Sequence, residues 1–148
     1  MLPSVNQTGT GPKNVVIMGC GRIGASIAAT LAEAGHAIHI LDPNVVAFDL
    51  LPQGMVGDGR IVPIVGDGTR ESDLRKTNTR DAEIFIAVTG KDTRNALGAQ
   101  LAKHILQVPI VICRMNDPTR TEMYNQLDLS AISATKPVTD MVLKATVG

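Results

Sequence analysis

A short apolar run that breaks into three spaced glycines constrains this chain more than any other feature. Asn14–Val15–Val16–Ile17–Met18 is rich in β-branched residues, the pattern of a parallel strand covered on both faces. Gly19–Cys20–Gly21–Arg22–Ile23–Gly24 follows at once and fits G-x-G-x-x-G. Ile23, Ile27, Ala28, Leu31 and Ala34 then recur at helical spacing, which predicts a helix with those residues inward. Gly35 stands where a helix end favours a left-handed residue. Ala37–Leu41 reads as a second strand, with Asp42 at its end.

Each residue of that stretch has a physical task. Gly19 permits the tight turn, Gly21 lets backbone approach a phosphate, and Gly24 lets helix and strand pack closely. The free amides and the dipole of the helix start attract an anion. Asp42 follows Gly24 by 18 positions, near the roughly 20 expected of an acid that holds a ribose. Its charge would repel a 2′-phosphate, so NADP is disfavoured. A glycine turn that merely reverses the chain would leave Asp42 without a purpose.

Length and charge exclude several classes. The chain of 148 residues is 44% hydrophobic and carries no formal net charge, which fits one folded domain with no general affinity for nucleic acid or an anionic membrane. Its aromatics are Phe48, Phe85 and Tyr124 alone, too few for a base-stacking platform. No apolar run approaches the roughly 18 residues of a membrane span, and the N-terminus lacks a signal-peptide pattern. Cys20 and Cys113 form no C-x-x-C pair and read as free thiols of a reducing cytoplasm.

Residues 1–13 lack periodicity and are expected to form a flexible tail. Beyond Asp42, a short helix is predicted over Pro43–Leu51 with Val45, Val46 and Leu50 inward, ended by Pro52 and Gly54. Ile61–Val65 is a third strand; Pro63 cannot donate to a ladder, so an edge position is expected. A helix over Arg70–Thr77, a strand over Ile84–Val88 and a helix over Arg94–Leu106 follow. Asp92 is the expected cap of that helix, and Leu97, Leu101, Ala102 and Ile105 its inner stripe. Ile110–Cys113, a helix opening at Asp117–Pro118, Ala131–Ser133 and a last helix from Lys136–Pro137 complete the pattern. That last helix carries Val138, Met141, Val142 and Ala145 on one face.

The alternation predicts an α/β, Rossmann-like, doubly wound parallel sheet of six strands in the order 3-2-1-4-5-6, with helices on both faces. Residues 14–136 would form the nucleotide-binding domain and 137–148 a C-terminal helix. Ligands of such sheets bind beyond the carboxyl ends of the strands. The candidate residues there are Gly19–Gly24, Asp42, Asp67, Gly68, Thr69, Thr89, Gly90 and Arg114. Several have a plain alternative: Asp42 as a helix cap before Pro43, Asp67 as a cap before its helix, Arg22 as a solvated side chain, and Thr89 and Asn95, which would otherwise line the pocket wall, as loop and cap chemistry. Arg114 would bind ligand or a neighbouring acid. Cys20 sits where a helix dipole lowers a thiol's pKa, yet a small turn-filling residue is the favoured reading. Neither His36, His39 nor His104 falls at a strand's carboxyl end, so no catalytic residue and no metal ligand is assigned.

These pieces in this order resemble the regulator of potassium conductance (RCK, or KTN, TrkA-N-like) domain of Trk and Ktr potassium-uptake regulators and of ligand-gated potassium channels. The matching segments are Val15–Ile17 with Gly19–Gly24, Ile40–Asp42, Val65–Thr69, Val88–Asp92 with Asn95, and Ile112–Arg114. The resemblance implies a domain that binds an adenine nucleotide, ATP, ADP or NAD/NADH, and passes its state to a membrane potassium transporter or channel. Gly19, Gly21, Gly24 and Asp42 would hold phosphates and ribose, Asp67 and Thr69 would lie beside the adenosine, and Arg22 would meet terminal phosphates. It also implies a homo-oligomer, a dimer or ring of dimers, with the last helix crossing to a partner, at the cytoplasmic face of the membrane. Many relatives carry a further C-terminal lobe; this sequence ends before one. The alternatives are a cofactor-binding domain of an NAD-dependent oxidoreductase, which lacks a histidine at the cleft, and a redox scaffold acting through Cys20.

Overall fold

The computed structural model describes residues 11–77 and 79–147. Six parallel strands form one sheet in the order β3-β2-β1-β4-β5-β6. The strands are β1 (Asn14–Met18), β2 (Ala37–Asp42), β3 (Ile61–Val65), β4 (Ile84–Ala87), β5 (Ile110–Arg114) and β6 (Ser130–Ile132). The helices are α1 (Arg22–Glu33), α2 (Gln53–Gly57), α3 (Glu71–Arg75), α4 (Asp92–Gln100), α5 (Pro118–Asn125) and α6 (Thr135–Val147). A 3₁₀ turn spans Val45–Leu50 and a π turn, Leu101–Ile105, extends α4.

The sheet order follows from the strands' composition. On β1, Val15 and Ile17 face the layer with α1, while Val16 and Met18 face the layer with α3 and α4. All four are at most 2% exposed, each burial contributing about 1.5–3 kcal/mol. β1 therefore takes a central place between β2 and β4. Pro63 lies on β3, opposite Ile40 and at the sheet edge, where its missing N–H is tolerated. Beyond α1, Gly35 (φ +99°) closes a Schellman motif: the His36 N–H donates to Leu31 O and the Gly35 N–H to Ala32 O.

The inward faces of two helices match expectation only in part: Ala28 and Ala102 are buried, and Ile27, Leu31 and Leu101 pack against the core. α1 buries Gly24, Ala25, Ala28 and Ala32, while Ile23 is 41% exposed and Ala34 is exposed. α4 buries Asn95, Ala96, Gly98 and Ala99, leaving Leu97 exposed, and Ile105 is exposed on the π turn. Both helices lie close to the sheet, so small residues face it and the larger ones fall to the flanks. Val45, Val46 and Leu50 also point outward; Ala47 and Phe48 pack against the core, Leu51 is buried and is the C-cap of the 3₁₀ turn, Pro52 follows that end as expected, and Gly54 lies inside α2. Asp92 does not cap α4: Lys91 occupies the cap position, and the Asp92 carboxylate accepts the Asn116 and Asp117 amides.

At the N-terminus, residues 1–10 of the expected tail lie outside the described residues. Its last residue, Lys13, is held beside β2, its carbonyl accepting the Ala37 N–H at 2.9 Å. Asp117 does cap α5, accepting the Thr119 N–H, with Pro118 behind it. α6 begins at Thr135, one residue before the expected start, and buries none of its residues.

Candidate functional site

Two neighbouring clefts of about 590 and 510 Å³ open beyond the carboxyl ends of β1, β2 and β4, and share Gly19, Asp42, Thr89 and Gly90. The glycine turn forms their floor. Gly19 has φ +109°, and a Cβ there would stand 3.0 Å from the Thr89 nitrogen. A Cβ on Gly24 would stand 1.8 Å from the Gly19 carbonyl oxygen, so helix and turn touch only because Gly24 has no side chain. Gly21 is different: its Cβ would meet no protein atom within 4 Å. Protein packing therefore does not require glycine there; an approaching ligand would.

Gly21 is the N-cap of α1, yet no side chain caps the helix and no acidic residue stands in its first turn. The first helical bond runs from the Ala25 N–H to Gly21 O. The amides ahead of it, and the dipole behind them, suit an anion. Arg22 and Ile23, both exposed, stand on the wall of the second cleft.

Asp42 lies at the rim with both oxygens engaged. Oδ2 accepts the Cys20 N–H at 2.9 Å and Oδ1 the Asn44 N–H at 2.8 Å. Asn44, not Asp42, caps the 3₁₀ turn, accepting the Val46 N–H. A carboxylate has about four lone-pair sites, so each oxygen can still accept a hydroxyl.

Asp67 faces the first cleft from beyond β3. Its Oδ1 accepts the Thr69 N–H (2.9 Å), the Thr69 hydroxyl (2.6 Å) and Arg94 Nη2 (2.7 Å). The Thr69 hydroxyl and amide, with Arg94, hold its carboxyl below the usual range against the opposing effect of burial. Asp67 is not the helix cap, a position held by Arg70. Thr69 lines neither cleft and instead orients Asp67. Gly68 must lack a side chain because a Cβ would meet Met18 Sδ at 2.5 Å.

Asn95 is fully buried and lines neither cleft; it holds Thr89, which lines both. Arg114, half-buried on β5, forms part of the second wall, and its Nε has no hydrogen-bond partner. Lys91 and Arg94 line the first cleft; Lys91 lies in the Thr89–Asp92 stretch expected at a strand's carboxyl end, while Arg94 escaped the sequence reading. Arg94 was taken only as the start of a helix; its pairing with an acid 27 positions earlier is visible only once β3 and β4 are placed. The walls thus carry four cationic side chains, Arg22, Lys91, Arg94 and Arg114, against two carboxylates. The site is electropositive although the chain is neutral.

The redox reading of Cys20 is overturned. The residue is 0% exposed, with Sγ against Ala47 O at 3.4 Å. Burial, with the nearby negative charge of Asp42, pushes its thiol up to about 11, the opposite of activation. Cys113 is core, its thiol likewise pushed up to about 11 by burial and then by Asp92. Among the described residues no group of three or more His, Cys, Asp or Glu is placed to hold a metal ion, and no helix is long and apolar enough to cross a membrane.

The TrkA-N domain model matches residues 15–135. The Trk system potassium uptake protein TrkA of Streptomyces coelicolor is 32% identical over 131 residues, covering 88% of this chain and 57% of that protein. A TrkA homolog of Pyrococcus horikoshii is 34% identical over 113 residues, covering 76% and 48%. The chain thus spans about half the length of the curated relatives it matches. Among solved structures, the TrkA-N domain of the inner membrane protein ybaL from Escherichia coli superimposes with a TM-score of 0.76 at 10% identity, covering 91% of this chain and 97% of that one. The AMP-bound Kef C-terminal domain of Shewanella denitrificans gives 0.71 at 23%, covering 90% and 80%. The GsuK channel bound to NAD gives 0.66 at 15%, covering 84% and 22%. At these identities the structural likeness establishes the fold.

Proposed function

Because the chain belongs to the TrkA-N domain family, we propose that it is the nucleotide-sensing part of a regulator of a membrane potassium transporter or channel. It binds ATP, ADP or NAD/NADH in the paired clefts and discriminates against NADP. The observation that carries this reading is the uncapped start of α1. Among the described residues nothing comes within 4 Å of where a Gly21 Cβ would stand, no acid stands in the first turn of α1, and Asp42 is held at the rim.

In this reading the amides from Gly21 to Gly24 receive the phosphates. Asp42 accepts the ribose hydroxyls, Asp67 lies beside the adenosine, and Arg22 and Arg114 meet the more distal phosphate or its substituent. Thr89 and Gly90 close the wall between them. The ligand acts by binding, without turnover. A binding role is supported by the described residues of the cleft walls, which present glycine amides, carboxylates and cationic side chains. The curated relatives are named potassium uptake proteins. The partner is a membrane potassium transporter or channel subunit at the cytoplasmic face. The chain assembles as a dimer, or a ring of dimers, through α6, whose Val138, Met141 and Val142 are each more than half exposed. A ligand biases such an assembly only by its unequal affinity for two arrangements.

A thermal-shift panel of ATP, ADP, NAD, NADH and NADP tests the binding step. A true ligand at ~100 times its Kd adds roughly 2.7 kcal/mol of apparent stability. At least one of the first four should raise the melting temperature, and NADP should do so least. No shift with any of them overturns the reading.

A further inference from the structure

Asn95 lines neither cleft, yet its carboxamide joins two residues that do. The pairing of β4 with β5 ends at Ala87 and Cys113. Beyond that point Thr89 leaves the ladder, and Asn95 takes the place a neighbouring strand would have filled. Its Oδ1 accepts the Thr89 N–H at 2.9 Å and the Thr89 hydroxyl at 2.6 Å. Its Nδ2 donates to Thr89 O at 3.0 Å and to Arg114 O at 2.9 Å. Two donors and two acceptors are all used, in a side chain that is 0% exposed.

Only an amide satisfies this arrangement. Turned end for end, it would set its NH₂ against the Thr89 N–H and its oxygen against two carbonyls. A carboxylate would set a negative charge against both carbonyls, and a hydroxyl is too short to span them. The amide therefore fixes the distance between the Thr89 segment, part of both clefts, and Arg114, on the far wall of the second.

We propose that Asn95 is a positioning residue for ligand binding, setting the width of the second cleft by clamping Thr89 to Arg114. The proposal rests on the nucleotide-binding reading and adds to it a side chain that never touches the ligand. Substituting Asn95 lets the two walls separate, so ligand affinity falls by more than the loss of stability accounts for.

Calorimetric titration of ATP, and of NADH in parallel, into the whole chain tests this. The proteins are wild type, Asn95→Asp and Val111→Ala, the last a buried β5 substitution away from the clefts. All are measured well below their melting temperatures. At about pH 8, Asn95→Asp should bind at least about tenfold more weakly than wild type, and Val111→Ala within about twofold. The Asn95→Asp deficit should shrink as the pH is lowered far enough to protonate the introduced acid, which then regains one donor, a response that a structural role alone would not produce. Lys91, Asp92 and Arg94 on or beside α4, with Asp67 paired to Arg94, and Cys113 and Arg114 on β5, are the titratable or charged groups on the elements around it. They are common to all three proteins and cancel in the ratio to wild type. If Asn95→Asp does not fold, Asn95→Ser should show a similar deficit without the pH response. Equal binding by wild type and the Asn95 variants, or a deficit matching that of Val111→Ala at every pH, overturns the proposal alone. Absence of binding by wild type overturns the nucleotide reading and this proposal with it.

Discussion

Asp42 and Cys20 are joined at the rim of the cleft: the carboxylate of one accepts the backbone amide of the other at 2.9 Å. The acid at the end of β2 therefore holds the glycine turn in shape as well as facing the place a ribose would occupy. Asp42→Ala removes this bond and the one to the Asn44 amide, at a cost of about 1.5–3 kcal/mol for hydrogen bonds to a charged group. Denaturant unfolding should show a loss of that order. Nucleotide titration should show weaker binding of NADH and a smaller preference for NADH over NADPH, because the charge that repels a 2′-phosphate is gone.

Two glycines of the same turn should respond in opposite ways to one methyl group. Gly24→Ala places a Cβ 1.8 Å from the Gly19 carbonyl, so α1 must lift from β1; a stability loss of more than about 2 kcal/mol is expected. Gly21→Ala meets no protein atom within 4 Å and sits at an ordinary φ of −82°. Its stability should change by less than about 1 kcal/mol while nucleotide affinity falls at least about tenfold. Melting curves and titrations on the two variants check both halves.

The Asp67–Arg94 pair spans 2.7 Å between side chains 28% and 35% exposed. A double-mutant cycle with Asp67→Asn and Arg94→Ala should return a coupling of about 0.5–1 kcal/mol, the range for a partly solvated pair. The same cycle run on nucleotide affinity should also couple, because Arg94 and Asp67 line the same cleft.

The pH dependence has two signs. Asp67 is held below its ordinary value of 3.8 by Thr69 and Arg94. Its contribution is present above that value and is lost as pH falls through the depressed one. The gap in melting temperature between wild type and Asp67→Asn should therefore narrow on acidification below about pH 4. Cys20 and Cys113 are raised from 9.0 to about 11. Their burial favours the fold below the lower value, and that advantage is lost as pH rises toward the higher one. Both thiols should resist a thiol reagent in the native protein and react fully once it is unfolded.

The sheet order and the glycine turn were legible because they follow from local rules. β1 is apolar from Val15 to Met18 and must be central, Pro63 must lie at an edge, and Asp117–Pro118 caps α5 as its order implies. The inward faces of α1 and α4 were not legible from hydrophobicity alone. There the deciding quantity is volume, and the close approach of helix to sheet selects Ala25, Ala32 and Ala99 over Ile23 and Leu97. Asp42 was found by its spacing, but its bond to Cys20 was not, since that bond depends on how the turn folds back over β2. Arg94 and the Asn95 clamp went unread for a similar reason: each joins residues that meet only after the sheet is assembled.

The central claim is that the amides at the start of α1 receive a nucleotide's phosphates. An amide ¹H–¹⁵N correlation spectrum recorded during titration with ATP, and again with NADH, tests it residue by residue. The account predicts saturable shifts at Gly21, Arg22, Ile23 and Gly24, with companions at Asp42, Gly68 and Thr89. Asn14, Ile61 and Ile110, at the opposite ends of the strands, should stay still. No shift at the glycine turn with either nucleotide in excess, or shifts confined to those opposite ends, would contradict it.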